Sequence, residues 1–359
     1  MTSKGLVILL IIAGVLTLAA SAVVVSSRRS TSVQDGQRRV FADLMDRVND
    51  VRLIVIRDGQ GDLQIEQRDG RWVVPDKADM PADEAKVRQL ILRLAELEAV
   101  EPKTSNPELY ARIGVEDPGP GASSTLLTLS DADGGPLASL ILGKTEWRNG
   151  RQMRYARKPG EAQSWLVVFE SDTGTDGMAW VDKQLTRIDG SRVQSLTITR
   201  SDGEEMGLSK SSREQAHFDV APIPEGRELR SEGAADPLAR GLQQLNFEDV
   251  RPSGGPRTGP ESVFVFQTFD GLVVTMSVDD EDGSHWAILT ADGTGEVADP
   301  DELAMLKERF NGREFKIATW AFNNLNKSVK DLLKPLPTPE PEEDDSEEPP
   351  LGPVIDPGG

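Results

Sequence analysis

The chain reads as an α+β protein: an N-terminal transmembrane helix followed by two repeated units, each a mostly antiparallel sheet with one backing helix. Three observations carry that expectation. Gly5 to Val25 holds no charged side chain, and at ~1.5 Å per residue a helix over it is about 30 Å long, one bilayer core. Short apolar or alternating segments separated by Asp-Gly turns recur through the body, the signature of strands and hairpins. The order of those segments, with one Leu-spaced stretch among them, occurs twice.

The expected boundaries run from an anchor over 1–27, through a tether and juxtamembrane helix over 28–50, to a first repeat over 51–190. A second repeat with a closing helix covers 191–335, and an acidic Pro-rich tail covers 336–359. Lys4, the run Leu6 to Leu18 and Ala20-Ser21-Ala22 also fit a cleaved signal peptide. Apolar character continues through Val23, Val24 and Val25, which favours an uncleaved anchor. Arg28, Arg29, Arg38 and Arg39 follow the span while only Lys4 and the amino terminus precede it. Flanking charge alone therefore places the body in the cytoplasm, but large domains translocate despite such charge. In the tether, Phe41, Leu44, Met45 and Val48 stand at helical spacing.

Copy one starts with the strand Leu53-Ile54-Val55-Ile56 and the turn Asp58 to Gly61. The strand Leu63 to Glu66, the turn Asp69-Gly70 and Trp72-Val73-Val74-Pro75 complete a meander. Pro81 opens a helix with Val87, Leu90, Ile91, Leu94 and Leu97 on one face, and Glu101-Pro102 stops it. Strands follow at Thr125 to Leu129, Leu137 to Leu142 and Met153 to Ala156, with the turn Asp133-Gly134-Gly135 between the first two.

Copy two starts with Leu196 to Thr199, the turn Asp202-Gly203, Met206-Gly207-Leu208 and Phe218 to Pro222. Its helix carries Leu238, Leu242 and Leu245 and ends near Val250-Arg251-Pro252. Strands at Val263 to Thr268, Leu272 to Val278 and Trp286 to Leu289 follow. Trp180 to Gly190 joins the copies, with Trp180, Leu185 and Ile188 expected to pack. A helix over Asp301 to Arg309, an extended Phe315-Lys316-Ile317 and a closing helix over Trp320 to Leu333 end the body. One meander and one covering helix per copy is what an α+β layer arrangement requires.

The formal charge is −20. Part of it is local: eight acidic residues (Glu340, Glu342, Glu343, Asp344, Asp345, Glu347, Glu348 and Asp356) and no basic one lie between Pro337 and Gly359. A tail this polar and rich in Pro and Gly is expected to be disordered. It suits a solvated segment, with a docking peptide for a basic partner as the sharper reading. The acidic body disfavours nucleic acid, whose sequence-independent binding relies on Lys and Arg. Absence of cysteine excludes disulfides, thiolate metal sites and a Cys nucleophile.

Trp72-Val73-Val74-Pro75 before a Pro-Ala-Asp helix start, the repeat itself, and Asn311-Gly-Arg-Glu-Phe315-Lys-Ile317 through Lys330-Asp-Leu-Leu-Lys-Pro335 carry a resemblance. Over roughly residues 50 to 335 the chain resembles the bacterial family called domain of unknown function 4340. The resemblance implies a membrane-anchored, extracytoplasmic protein, associated in relatives with auxiliary subunits of ABC transporters of the gliding-motility type. It transfers no catalytic residue, because the family has none established, and the acidic tail departs from many relatives.

Chemistry-bearing residues form no diagnostic motif. His217 and His285 each precede an aromatic residue and read as structural or surface histidines. Ser284-His285 with a nearby Asp lacks the Gly-x-Ser-x-Gly elbow of a nucleophile. The run Asp279-Asp280-Glu281-Asp282-Gly283 could hold calcium but lacks EF-hand spacing, and Asp-Gly between strands points to a hairpin turn. No phosphate loop or dinucleotide fingerprint is present. The six tryptophans (Trp72, Trp147, Trp165, Trp180, Trp286 and Trp320) read as core packing rather than a groove.

The expected function is that of a non-catalytic, membrane-anchored binding or scaffold protein of the cell envelope, auxiliary to an ABC-type transporter. An envelope hydrolase with an unrecognised carboxylate site and a purely structural spacer are the competing readings. No catalytic, cofactor-binding or metal-ligating residue is assigned, and no cofactor is expected. The expected partners are the lipid bilayer, through Gly5 to Val25, and ABC transporter subunits or other envelope proteins. The expected place is the cytoplasmic (inner) membrane, single-pass, with the soluble part extracytoplasmic.

Overall fold

Alternate residues turn inward along most extended segments, so the chain builds sheets wherever apolar side chains recur at period two. The computed structural model describes residues 39–148, 150–255, 259–295 and 297–336. The anchor run Gly5 to Val25 and the acidic tail from Pro337 onward lie outside the described residues. The chain divides into two compact units. One runs to Lys183 and takes in Asp249–Pro252; the other holds Gln184–Glu248 and the chain from Ser253 onward.

The first unit contains nine strands: β1 (Leu53–Arg57), β2 (Asp62–Arg68), β3 (Arg71–Val74), β4 (Met80–Pro81), β5 (Ala99–Pro102), β6 (Thr125–Ser130), β7 (Pro136–Arg148), β8 (Arg151–Arg157) and β9 (Ser164–Val167). They form one antiparallel sheet in the order β4-β3-β2-β1-β6-β7-β8-β9-β5. Ile54 and Ile56 of β1, Leu63 and Ile65 of β2, and Leu127 and Leu129 of β6 face inward and are buried. The helix Glu84–Ala95 buries Val87, Leu90, Ile91, Leu94 and Ala95. Asp83 caps it by accepting the Lys86 N–H at 3.1 Å, which satisfies one of the orphan donors of a helix start.

The second sheet contains β10 (Gln184–Thr186), β11 (Val193–Arg200), β12 (Glu205–Ser209), β13 (Asp219–Ala221), β14 (Leu245–Pro252, whose end Asp249–Pro252 is assigned to the first unit), β15 (Ser262–Thr268), β16 (Leu272–Glu281), β17 (Ser284–Gly293) and β18 (Arg313–Ile317). Its sheet order is β10-β14-β18-β17-β16-β15-β11-β12-β13. Set aside the edge strands β4 and β10, and the two sheets have the same connectivity. One reads β3-β2-β1-β6-β7-β8-β9-β5, the other β13-β12-β11-β15-β16-β17-β18-β14.

The α+β expectation is corrected here. The described chain is mostly antiparallel sheet, two sheets of nine strands each, with few helices. No helix among the described residues is long and apolar enough to cross a membrane. The helix expected at Leu238, Leu242 and Leu245 shrinks to Asp236–Ala239, and Leu245 opens β14. From Leu245 to Val250 burial follows a near period of two, with Leu245, Phe247 and Val250 inward. Tertiary packing of that face outweighs the Leu spacing that suggested a helix.

Other differences have similar causes. In the first unit Glu101-Pro102 does not end the helix but lies in β5, since the helix already stops at Ala95. The closing helix over Trp320 to Leu333 is two short helices, Thr319–Leu325 and Val329–Leu332. Ser328 starts the second through a capping box with Asp331, and that cap breaks what would have been a continuous helix. Trp180, Leu185 and Ile188 are all buried. Of the six tryptophans, Trp180 alone is in the core, whereas Trp147 is 70% exposed and Trp320 69%.

Candidate functional site

Two hairpins at matching places in the two sheets carry the side chains that the fold does not consume. The first is β16–β17. Asp282 and Gly283 take φ of 53° and 79°, the pair of left-handed residues that a two-residue hairpin loop favours. With that loop closed, Glu281 faces Ser284 and Asp280 faces His285 across the strands. Asp280 Oδ1 accepts the Gly283 N–H at 2.9 Å, which fixes the tip. The acidic run 279–283 is thus a strand end and a turn.

His285 lies on the inward face of β17, in step with Ala287 and Leu289, and its side chain is 8% exposed. Its ring stacks on Phe322 of the helix Thr319–Leu325, with centroids 4.1 Å apart and planes 26° from parallel. Phe322 in turn meets Phe264 edge-on at 6.3 Å. Asn326, just past that helix, accepts from Ser262 Oγ at 2.9 Å and from Arg200 Nε at 3.1 Å. These bonds keep Phe322 over the imidazole. Ser284 and His285 are strand neighbours and leave opposite faces of the sheet, so no Ser–His nucleophile pair forms.

Glu261 precedes β15. Its N–H donates to Asp279 Oδ1 at 3.2 Å, and its carbonyl accepts the Ser201 N–H at 2.9 Å. The backbone therefore delivers its carboxylate to the same corner. One ligand atom each from Glu261, Asp280 and His285 lie within 4.8 Å of one another. His285 Nδ1 stands 3.6 Å from Asp280 Oδ2, too far for a hydrogen bond. Both His285 Nδ1 and Glu261 Oε2 are buried without a hydrogen-bond partner among the described residues. The imidazole and carboxylates are a donor set suited to a divalent cation.

The second hairpin, β7–β8, occupies the equivalent place in the other sheet. Its final register pairs Arg148 with Arg151 and Trp147 with Gln152. Arg148 bonds Glu146 at 2.8 Å and Glu101 at 2.5 Å, while Lys103 bonds Glu101 at 2.8 Å. The Tyr155 hydroxyl donates to Glu146 at 2.5 Å. That hydrogen bond, with Arg148 second, holds the Glu146 carboxyl below the usual carboxylate range. Lys103 and Arg148 do the same for Glu101. This charged lattice braces one face of the hairpin tip, and strand alternation sends Trp147 to the other face.

His217 is a structural histidine. Its Nδ1 lies 2.7 Å from Asp236 Oδ2, its side chain is about half exposed at 45%, and Phe218 beside it is buried. Sequence reasoning missed the Glu261–Asp280–His285 cluster because Glu261 is distant in the chain. The Asp280–His285 half was readable: a two-residue Asp-Gly loop at 282–283 places positions 280 and 285 opposite each other.

Fold and site define a protein of two antiparallel sheets with repeated connectivity, bearing a His–carboxylate corner on one hairpin and an exposed Trp on the other. A family model described as domain of unknown function (DUF4340) matches residues 72–262, more than half of the chain, and the chain belongs to that family. The match takes in Trp147 and Glu261 and stops short of Asp280 and His285. No curated protein matches the chain.

Proposed function

We propose that this chain is a non-catalytic binding or scaffold protein of the cell envelope. The apolar run Gly5 to Val25 holds it at the cytoplasmic membrane, and its extracytoplasmic body serves as an auxiliary component of an ABC-type transporter. The observation that carries the reading is Trp147, 70% exposed at the braced tip of β7–β8. A large amphipathic ring exposed to water beside an ion-paired strand end suits the anchor of a protein interface, where Trp is enriched among the residues that carry binding energy. The transporter assignment rests on the family resemblance.

Several carboxylates are committed to structural pairs. Asp62 is held below the ordinary carboxylate value by Arg57, Glu146 by Tyr155 and Arg148, and Asp331 by the Ser328 backbone and hydroxyl. Each of these groups is held ionised by a structural partner. A general acid of a hydrolase needs the opposite shift.

Position-specific photo-cross-linking in intact cells tests the reading. A photoreactive residue at position 147 should trap subunits of an ABC-type transporter, and one at exposed Arg151 on the same hairpin should trap them less. Equal, partner-independent labelling from both positions would refute the proposal.

A further inference from the structure

We propose that Glu261, Asp280 and His285 form a binding site for one divalent transition-metal ion of the zinc class. Three features of the corner point to a cation. The donor atoms converge, with one from each residue inside a 4.8 Å set. Two of the three residues present a buried atom, His285 Nδ1 and Glu261 Oε2, that hydrogen-bonds to nothing among the described residues. The imidazole is prevented from turning away by its stack on Phe322 at 4.1 Å.

A buried polar atom without a partner costs about 1–3 kcal/mol, so two in one corner are expensive for a fold that could place apolar groups there. A metal ion serves all three at once. Ligands at about 2.0–2.2 Å from zinc stand closer together than the present spread, and the Asp280 side chain, 44% exposed, has the freedom to close that gap.

The donor chemistry selects the class. Calcium takes six to eight oxygens, whereas an imidazole with carboxylates suits zinc and its neighbours. Water reaching the exposed side of Asp280 would complete the coordination. A bound ion would tie together the start of β15, the end of β16 and the start of β17, and through His285 the helix Thr319–Leu325. Binding free energy at such a corner becomes folding free energy.

The test uses the full-length, untagged chain in detergent, stripped with a chelator and titrated with zinc chloride by calorimetry. The expected result is one saturable equivalent and a rise in the thermal midpoint. Asp280→Asn and His285→Gln should each weaken binding by about tenfold or more, since even second-shell losses reach that size. Asp280 is exposed enough that its variant folds, so it decides the matter alone if His285→Gln does not. Absence of saturable zinc binding by the wild type overturns the proposal. So does unchanged affinity in Asp280→Asn, or displacement of zinc by calcium at equal concentration.

Discussion

Replacing Arg192 with Met should destabilise the second unit by about 2–3 kcal/mol, because this guanidinium is the shared partner of two carboxylates. Arg192 Nη1 and Nη2 meet both oxygens of Glu302 at 2.9 and 2.6 Å, and Nε meets Asp270 Oδ2 at 2.9 Å. The three side chains are 24%, 19% and 17% exposed. Removing one partner of a fully buried pair costs about 3–5 kcal/mol. Partial exposure lets water relieve some of that, which sets the lower figure.

Thermal unfolding followed by circular dichroism should show a midpoint lower by about 4–12 °C. A double-mutant cycle with Glu302→Gln should return a coupling of about 1–3 kcal/mol. The pH dependence gives a second readout. Burial pushes the Asp270 carboxyl up, but Thr268 and Arg192 outweigh it and hold the group below its ordinary value. A folded-state value below the unfolded one contributes stability above the unfolded value, about 3.9, and loses it as pH falls through the folded value. Wild type should therefore lose stability below about pH 4, and Arg192→Met should lose less over that window. A variant within about 0.5 kcal/mol of wild type, the size of an exposed pair, would refute the reasoning.

Gly143→Ala should cost about 1–3 kcal/mol in urea titration, because the new Cβ would lie 2.3 Å from the Ile113 carbonyl oxygen and 2.8 Å from that of Gly114. Trp180→Ala should cost about 3–5 kcal/mol, since the ring is fully buried and its Nε1–H donates to the Gly174 carbonyl at 3.2 Å. Trp147→Ala should leave stability within about 0.5 kcal/mol while removing transporter subunits from the complex isolated in mild detergent.

Most strands were legible because they announce themselves locally. Leu53 to Ile56, Val263 to Thr268 and Leu272 to Val278 are flanked by Asp-Gly turns, and each became a strand in the expected place. The strands not predicted include the edge strands β5 and β10, whose short runs pair with β9 and β14, distant in the chain. The helix misreading at 238–245 has the same origin. Leu238, Leu242 and Leu245 fit a helical face, but only the assembled sheet reveals that Leu245, Phe247 and Val250 form the inner row of β14. The candidate site was half legible for a comparable reason. A turn rule pairs Asp280 with His285, whereas Glu261 lies nine residues before the Asp270-Gly271 turn of the β15–β16 hairpin, and only that pairing's full register brings it beside Asp279.

The repeated connectivity makes the two hairpins comparable position by position. Their terminal pairs correspond, with Arg148 facing Arg151 in one and Glu281 facing Ser284 in the other. Trp147 and Gln152 then stand where Asp280 and His285 stand. The fold does not demand a particular pair there, since the same sheet order is reached with either. A valine at position 285 would simply extend the inward row of Ala287 and Leu289, with no polar atom to desolvate. A buried imidazole facing two carboxylates is a costlier choice than that row needs. Departures from what local packing favours collect at functional sites. Here Trp147 stands where Asp280 does and His285 where Gln152 does, so the two departures fall on opposite members of one cross-strand pair. Strand order is thus kept while the cross-strand pair beside each tip differs, so the requirements of the fold alone do not dictate which residues stand there.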